Sequence, residues 1–330
     1  MFTRETFLRS WLLNSPRDIP SASGKDDFQQ GLGIKAADRS AGLFRKGARV
    51  IKPTFDLAGS RSISRLGFGA MRITGSGIWG EPDDGTEAKA VLERVIELGI
   101  NFIDTANSYG PHVSERLIGE TLRPYTDELV IATKGGFERP GPGRWDADCR
   151  PEVLKEACET SLRRLGLETI ELYQLHTVDR KVPYEESVGA LKELQDEGKI
   201  RHVGVSNVNG DQLSRAQSIV EVVSVQNKYS VGRRDSEDVL DVCERQGIAF
   251  IPWHPIAAGN LARPGGALDA IAREHGATPA QVSIAWLLHR SPVMIPIPGT
   301  SSVAHLEENT AARDLELSDE DLKRIEDAVA

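Results

Sequence analysis

From Thr54 onward, two patterns of apolar residues alternate along the chain. Short β-branched runs are separated by longer segments in which apolar positions recur at helical spacing. The short runs are Arg65–Gly69, Asn101–Asp104, Glu128–Thr133, Ile170–Leu175, His202–Val205, Val222–Gln226, Ala249–Pro252 and Met294–Ile297. Ahead of them, Thr54–Ile63 alternates about a break at Ala58–Ser60 and predicts a hairpin. Helices are predicted over Thr86–Leu98, Ser114–Leu122, Pro151–Leu165, Tyr184–Glu197, Asp211–Ile219, Ser236–Gln246, Gly266–His275 and Pro279–His289, with Ser302–Arg313 and Ser318–Ala328 closing the chain. Stop signals support several of these: Gly99, Gly166 and Gly198 follow three of the helices, Ser114 is placed as an N-cap, and Pro151 opens a first turn.

Strand–helix alternation with short connections implies a parallel sheet with right-handed crossovers. Eight such units suit a closed (β/α)8 TIM barrel, for which about 250 residues is usual. The expectation is therefore an α/β chain with a barrel preceded by an N-terminal β-hairpin and followed by extra C-terminal helices. A doubly wound sheet would want G-x-G-x-x-G after its first strand. Here Gly67 and Gly69 are followed by Ala70, Met71 and Arg72, and the third glycine is missing.

Charge separates the two ends. Through Pro53 there are 10 basic and 5 acidic residues, whereas the rest has 30 and 44. Residues 1–53 lack sustained periodicity and are expected to be a poorly ordered extension, with 54–330 a single barrel domain. Phe7–Leu13 could form an amphipathic turn or two, but the acidic residues around it argue against an organellar targeting peptide. A net charge of −9 speaks against nucleic-acid partners, and no apolar run approaches the ~18 residues of a membrane span. Three scattered cysteines fit a reducing, cytoplasmic setting.

The chemistry sits at three consecutive strand ends. Asp104 and Tyr109 follow the second barrel strand, Lys134 closes the third and His176 the fourth. Barrel active sites lie at the C-terminal ends of the strands. Taken singly, each residue has an ordinary explanation: a helix N-cap, a packed aromatic, a solvated lysine, a strand-end histidine. Together they form a general-acid apparatus able to place a proton on an oxygen.

With these motifs in view, the chain resembles the aldo-keto reductase family. The resemblance rests on Asp104-Thr-Ala-x-x-Tyr109-Gly110 with Ser114-Glu115 beyond it, on Lys134 in Ala-Thr-Lys-Gly-Gly, on His176 in Leu-Tyr-Gln-Leu-His, and on the segments Gly204–Asn207, Val225–Asn227 and Ile297–Thr300. It covers Thr54 to the C-terminus and implies reduction of a small aldehyde or ketone by NADP(H), with NAD(H) possible. Tyr109 would donate the proton, Lys134 would lower the phenol's pKa towards the working pH, Asp104 would hold Lys134 charged, and His176 would orient the carbonyl. The resemblance further implies that Ser206, Asn207 and Gln226 hold the nicotinamide carboxamide, that Trp253 stacks on its ring, and that Gly69, Ala70, Met71 and Asp104 lie beside it. Gly299, Thr300, Ser301, His305, Glu308 and Asn309 would form the adenosine-phosphate site, at a helix start with free N–H groups. There Gly299 and His305 replace the lysine and arginine found in many members. Trp79 and Phe137 are expected pocket walls, and Arg139–Trp145 a turn-rich flap over the rim.

A finer similarity, to the branch containing bacterial pyridoxal reductases, makes pyridoxal a candidate substrate. Two rival readings are a cofactor-binding regulatory subunit resembling potassium-channel β-subunits and a barrel isomerase or lyase without nicotinamide. Oligomeric state is not legible in the sequence.

Overall fold

The computed structural model describes residues 52–256 and 264–328. The expected extension and the Phe7–Leu13 segment lie outside these residues, save for Lys52 and Pro53. A hairpin, β1 (Thr54–Leu57) and β2 (Arg61–Ser64), pairs antiparallel about a turn in which Ala58 and Gly59 both take positive φ. Seven parallel strands follow: β3 (Phe68–Gly69), β4 (Phe102–Asp104), β5 (Val130–Gly135), β8 (Ile170–Leu175), β9 (Ile200–Ser206), β10 (Val222–Gln226) and β11 (Ala249–Phe250). They lie side by side in chain order. Between β5 and β8 a small antiparallel ribbon, β6 (Phe137–Glu138) and β7 (Asp146–Ala147), rises from the rim.

Each crossover carries a helix: α1 (Gly85–Glu97), α2 (Val113–Leu122), α3 (Pro151–Leu165), α4 (Tyr184–Asp196), α5 (Gly210–Gln217) and α6 (Glu237–Gln246). Two more, α7 (Ala267–His275) and α8 (Pro279–Arg290), precede the last barrel segment, and α9 (Val303–Ala311) and α10 (Asp319–Asp327) end the chain.

The expected eighth strand, Met294–Ile297, does not form a regular ladder. It closes the ring through one parallel bridge to Phe250, with Ile295 N–H donating to Phe250 O and Gly67 N–H donating to Pro296 O. Pro296 and Pro298 have no N–H to continue the pairing. Arg65 secures this seam from beneath: its buried guanidinium donates to Leu288 O, Ser291 O and Met294 O. Burial lowers its pKa to about 10. The helix expected at Ser114 starts instead after His112, whose φ is 70°. Ser114 is occupied elsewhere, donating to Ala70 O and bonding Thr105 Oγ1.

The strand pleat sorts side chains to two cores. Phe102, Val130, Ala132, Leu172, Ala249, Ile295 and Ile297 fill the barrel interior, and Leu57 and Ile63 of the hairpin plug its lower end. Ile103 and Ile131, and across the barrel Tyr173, Leu175, Val203 and Val205, face the helices. Continuing the inward rows upward, Asp104 follows Phe102, Lys134 follows Ala132, and Gln174 follows Leu172. The same alternation that packs the core therefore lifts polar side chains to the upper layer. The three cysteines are buried among apolar groups, which pushes each thiol up to about 12.

Candidate active site

At the centre of the upper layer lies a buried ion pair. Lys134 Nζ donates to Asp104 Oδ1 at 2.5 Å and to Thr105 O at 2.8 Å. The second carboxylate oxygen of Asp104 accepts from Gln226 Nε2 at 2.8 Å and from Gln174 Nε2 at 3.1 Å. A buried charge persists only where such bonds replace water, and here both oxygens are served. Room for Gln174 comes from Gly204 opposite, where a Cβ would lie 2.8 Å from Gln174 Cγ and 2.2 Å from Ser224 Oγ.

Tyr109 stands over the ammonium, with Lys134 Nζ 5.2 Å from its ring centroid. The expectation that Lys134 brings the phenol pKa down towards the working pH needs correction. Burial, the largest influence, raises it, Lys134 lowers it and Asp104 raises it again, and the net direction is up from 10.0. For Lys134, burial alone would depress the ammonium, but Asp104 and Tyr109 outweigh it and the net direction is also up. His176 lies edge-on to Tyr109, with ring centroids 5.8 Å apart. Burial first, and the Lys134 charge second, push its pKa well below 6.5, so the imidazole is neutral at neutral pH. Its Nδ1 lies 3.5 Å from Ser108 Oγ.

These groups open into a cavity of about 850 Å³. Of the residues expected there, Asp104, Tyr109, His176, Gly69, Met71, Ser206, Asn207, Gln226, Trp253, Phe137 and Gly299 line it. Lys134 lies beneath Tyr109. Ala70 is fully buried in the turn after β3. Asn207, at φ 59°, ties the far wall together: Nδ2 donates to His176 O and Ser206 Oγ, and Oδ1 accepts from the Trp253 indole. Gly69 and Gly299 let two backbones meet at the floor. A Cβ on Gly69 would come within 2.7 Å of Ile297 O, and one on Gly299 within 2.5 Å of Gly69 O.

Trp79 does not reach the cavity. Its neighbour Ile78 does, and Trp79 packs one layer out against Arg139. The lining also includes Arg72, Trp145, Thr177 and His254, which sequence reasoning did not single out. Trp145 could have been found, because it ends the Arg139–Trp145 stretch placed over the rim. His254 and Arg72 carry no such signal.

Thr300, Ser301, His305, Glu308 and Asn309 lie beyond Gly299 and outside the cavity lining. The helix start expected to offer free N–H groups is partly occupied. Val303 N–H donates to Glu87 Oε1 at 2.9 Å, and Ser302 N–H to Thr300 Oγ1 at 3.1 Å. Glu308 accepts from the Thr278 hydroxyl at 2.7 Å.

The cavity's donor set suits the nicotinamide end of a dinucleotide. It offers side-chain amides that both donate and accept, an indole face, and the Arg72 cation. The model of the aldo/keto reductase family matches residues 65–330. The chain belongs to the aldo/keto reductase family. As a member it is an oxidoreductase. It is 49% identical over 269 residues to an uncharacterized oxidoreductase of Schizosaccharomyces pombe, covering 82% of this chain and 88% of that one. It is 42% identical over 279 residues to pyridoxine 4-dehydrogenase of Escherichia coli, covering 83% and 97%. Among solved structures it resembles an aldo-keto reductase from Klebsiella pneumoniae in complex with NADPH, at 26% identity and a TM-score of 0.72, over 84% of this chain and 95% of that one. Another similar structure is aldo-keto reductase AKR11C1 from Bacillus halodurans in its holo form, at 28% identity and a TM-score of 0.71, over 84% and 97%. Within the described residues no helix is long and apolar enough to cross a membrane.

Proposed function

We propose that this aldo/keto reductase reduces an aldehyde or ketone to an alcohol with NADP(H), and that pyridoxal, giving pyridoxine, is a candidate substrate. The observation that carries the proposal is the buried Lys134–Asp104 pair set beneath Tyr109 at the cavity floor. The catalytic unit would be the barrel from Thr54 onward, with residues 1–53 an extension to it.

When bound, the nicotinamide supplies a hydride to the carbonyl carbon. As the C–O π electrons move onto oxygen, Tyr109 gives that oxygen its phenolic proton. The raised pKa keeps Tyr109 protonated at neutral pH, so the donor stays loaded. Lys134 stabilises the phenolate left behind, and Asp104 holds the ammonium in place. His176, neutral and rigidly packed, offers an N–H that would orient the carbonyl oxygen without competing as an acid. Ser206, Asn207 and Gln226 would hold the carboxamide, and Trp253 would pack against the nicotinamide ring. Gly69, Met71 and Gly299 would border the cofactor's path towards Thr300, Ser301, His305, Glu308 and Asn309. Phe137 and, through Arg139, Trp79 would shape the substrate end. Support for NADP(H) comes from the NADPH complex of the similar Klebsiella protein, and support for pyridoxal from the similar E. coli pyridoxine 4-dehydrogenase.

The test is a panel of aldehydes and ketones, pyridoxal included, followed by loss of NADPH absorbance. Consumption matched by alcohol formation is expected. A chain that binds NADPH yet oxidises it with no member of the panel would contradict the reading.

A further inference from the structure

Arg139 leaves the β6–β7 ribbon and runs inward rather than out to solvent; it is 7% exposed. Its partners are carbonyls, not carboxylates, and they belong to three different loops. Nε donates to Arg144 O across its own ribbon at 2.7 Å. Nη1 donates to Ile78 O, in the loop after β3, at 3.0 Å, and to Ser108 O, the residue before Tyr109, at 3.1 Å. Nη2 is buried and has no hydrogen-bond partner among the described residues. The guanidinium lies 3.8 Å from the centroid of Trp145 and 5.5 Å from that of Trp79, so indoles from two loops pack against it.

A buried cation without a counter-ion is costly. Ile78 adds to that cost, because a β-branched residue at φ 59° sits where only small or short polar side chains are at ease. Strain held in this way points to function. What the arrangement achieves lies on the cavity side. Trp145 meets Tyr109, Phe137 and His176 in T-shaped contacts, with centroids at 6.4, 5.6 and 6.4 Å and planes 75–80° apart. Phe137 in turn is 4.8 Å from His176. Four rings, joined by five edge-on contacts, thus line the place where a carbonyl would meet Tyr109. A flat ring can pack against such walls; a short alkyl chain leaves them uncovered.

We propose that Arg139 is a specificity-determining positioning residue: by clasping the Ile78 loop, the Tyr109 loop and the β6–β7 ribbon, it sets Trp145 as a wall that selects flat, ring-bearing carbonyls over small aliphatic ones. This rests on the carbonyl-reductase reading above. Arginine suits the task because its planar fork serves three carbonyls while its face stacks on indole, which a lysine ammonium does not reproduce.

The experiment compares kcat and KM for benzaldehyde and for butanal in wild type, Arg139→Met and Arg139→Lys, with NADPH affinity measured alongside. Arg139→Met should cut kcat/KM for benzaldehyde about 10–100-fold more than it cuts that for butanal, mostly through KM, with NADPH affinity changed little. Arg139→Lys, which keeps charge and stem but loses the fork, should shift the ratio the same way and by less, and it provides the test if the methionine variant does not fold. An equal loss for both aldehydes, or an unchanged ratio in a variant that binds NADPH normally, overturns the proposal. The underlying reading is judged separately, because its failure would show as wild type reducing neither aldehyde.

Discussion

Lys134 Nζ lies 2.5 Å from Asp104 Oδ1, with side-chain exposures of 0% and 2%. The pair has no water to fall back on, so neither charge is tolerable alone. Lys134→Met should destabilise the fold by about 3–5 kcal/mol, because it leaves the carboxylate buried with only the two glutamine amides. Adding Asp104→Asn to that variant should recover much of the loss. Chemical denaturation of both variants measures this, and a double variant no more stable than Lys134→Met would show that the two charges are not coupled.

Gln174 is the less obvious member of this group. Its amide serves Asp104 Oδ2, and Gly204 makes space for it. Gln174→Met keeps the volume but removes the donor. It should lower stability by about 1–3 kcal/mol, the range for leaving a buried acceptor under-served. Gln174→Met in a Gly204→Ala background should not accumulate folded protein, since the added methyl has nowhere to go. Normal yield of that double variant would refute the packing argument.

The pH dependence follows from two shifts. Tyr109 is moved up from 10.0 by burial, so it keeps its proton through neutral pH and loses it only in the alkaline range. Reduction, which uses the protonated phenol, should be flat through neutral pH and fall above it. Oxidation of the alcohol, which needs the phenolate, should rise in that same alkaline range. His176 is pushed well below 6.5, so neither direction should show an inflection at the ordinary histidine value. A rate profile with a midpoint near 6.5 that disappears in His176→Gln would contradict the neutral assignment.

Glu87 bears on cofactor choice. Its carboxylate accepts from the first N–H of α9, at the helix start expected to receive the adenosine phosphate. A resident anion there should weaken binding of a second one through like-charge repulsion. Glu87→Gln is therefore expected to raise the NADPH-to-NADH efficiency ratio, by about three- to fivefold for a charge effect of this kind. An unchanged or lower ratio would place the phosphate away from Glu87.

Much of this architecture is legible in the sequence. Seven of the eight expected strands form in order, because β-branched runs bounded by helix-period segments leave few alternatives. The eighth, Met294–Ile297, looked like a strand by composition, but Pro296 and Pro298 remove the donors that a ladder needs. Ser114 has the residue type of a helix cap, but its hydroxyl spans to Ala70 O and Thr105 Oγ1. Candidate chemistry at strand ends could be located because barrel strands deliver their last inward residue to the rim. Arg139 could not be found that way. Its role depends on three loops meeting in space, and nothing in the local pattern distinguishes a buried arginine from a solvated one. Nor could the sequence reveal that the Tyr109 pKa moves up on balance, with burial the largest cause, since that depends on the packing around the phenol.

The most direct measurement of the central claim is turnover of Tyr109→Phe with NADPH and a carbonyl that wild type reduces, alongside NADPH affinity. Loss of the proton donor should lower kcat by about 10²–10⁴-fold, with NADPH affinity within a few-fold of wild type. Turnover within about tenfold of wild type would show that another group delivers the proton.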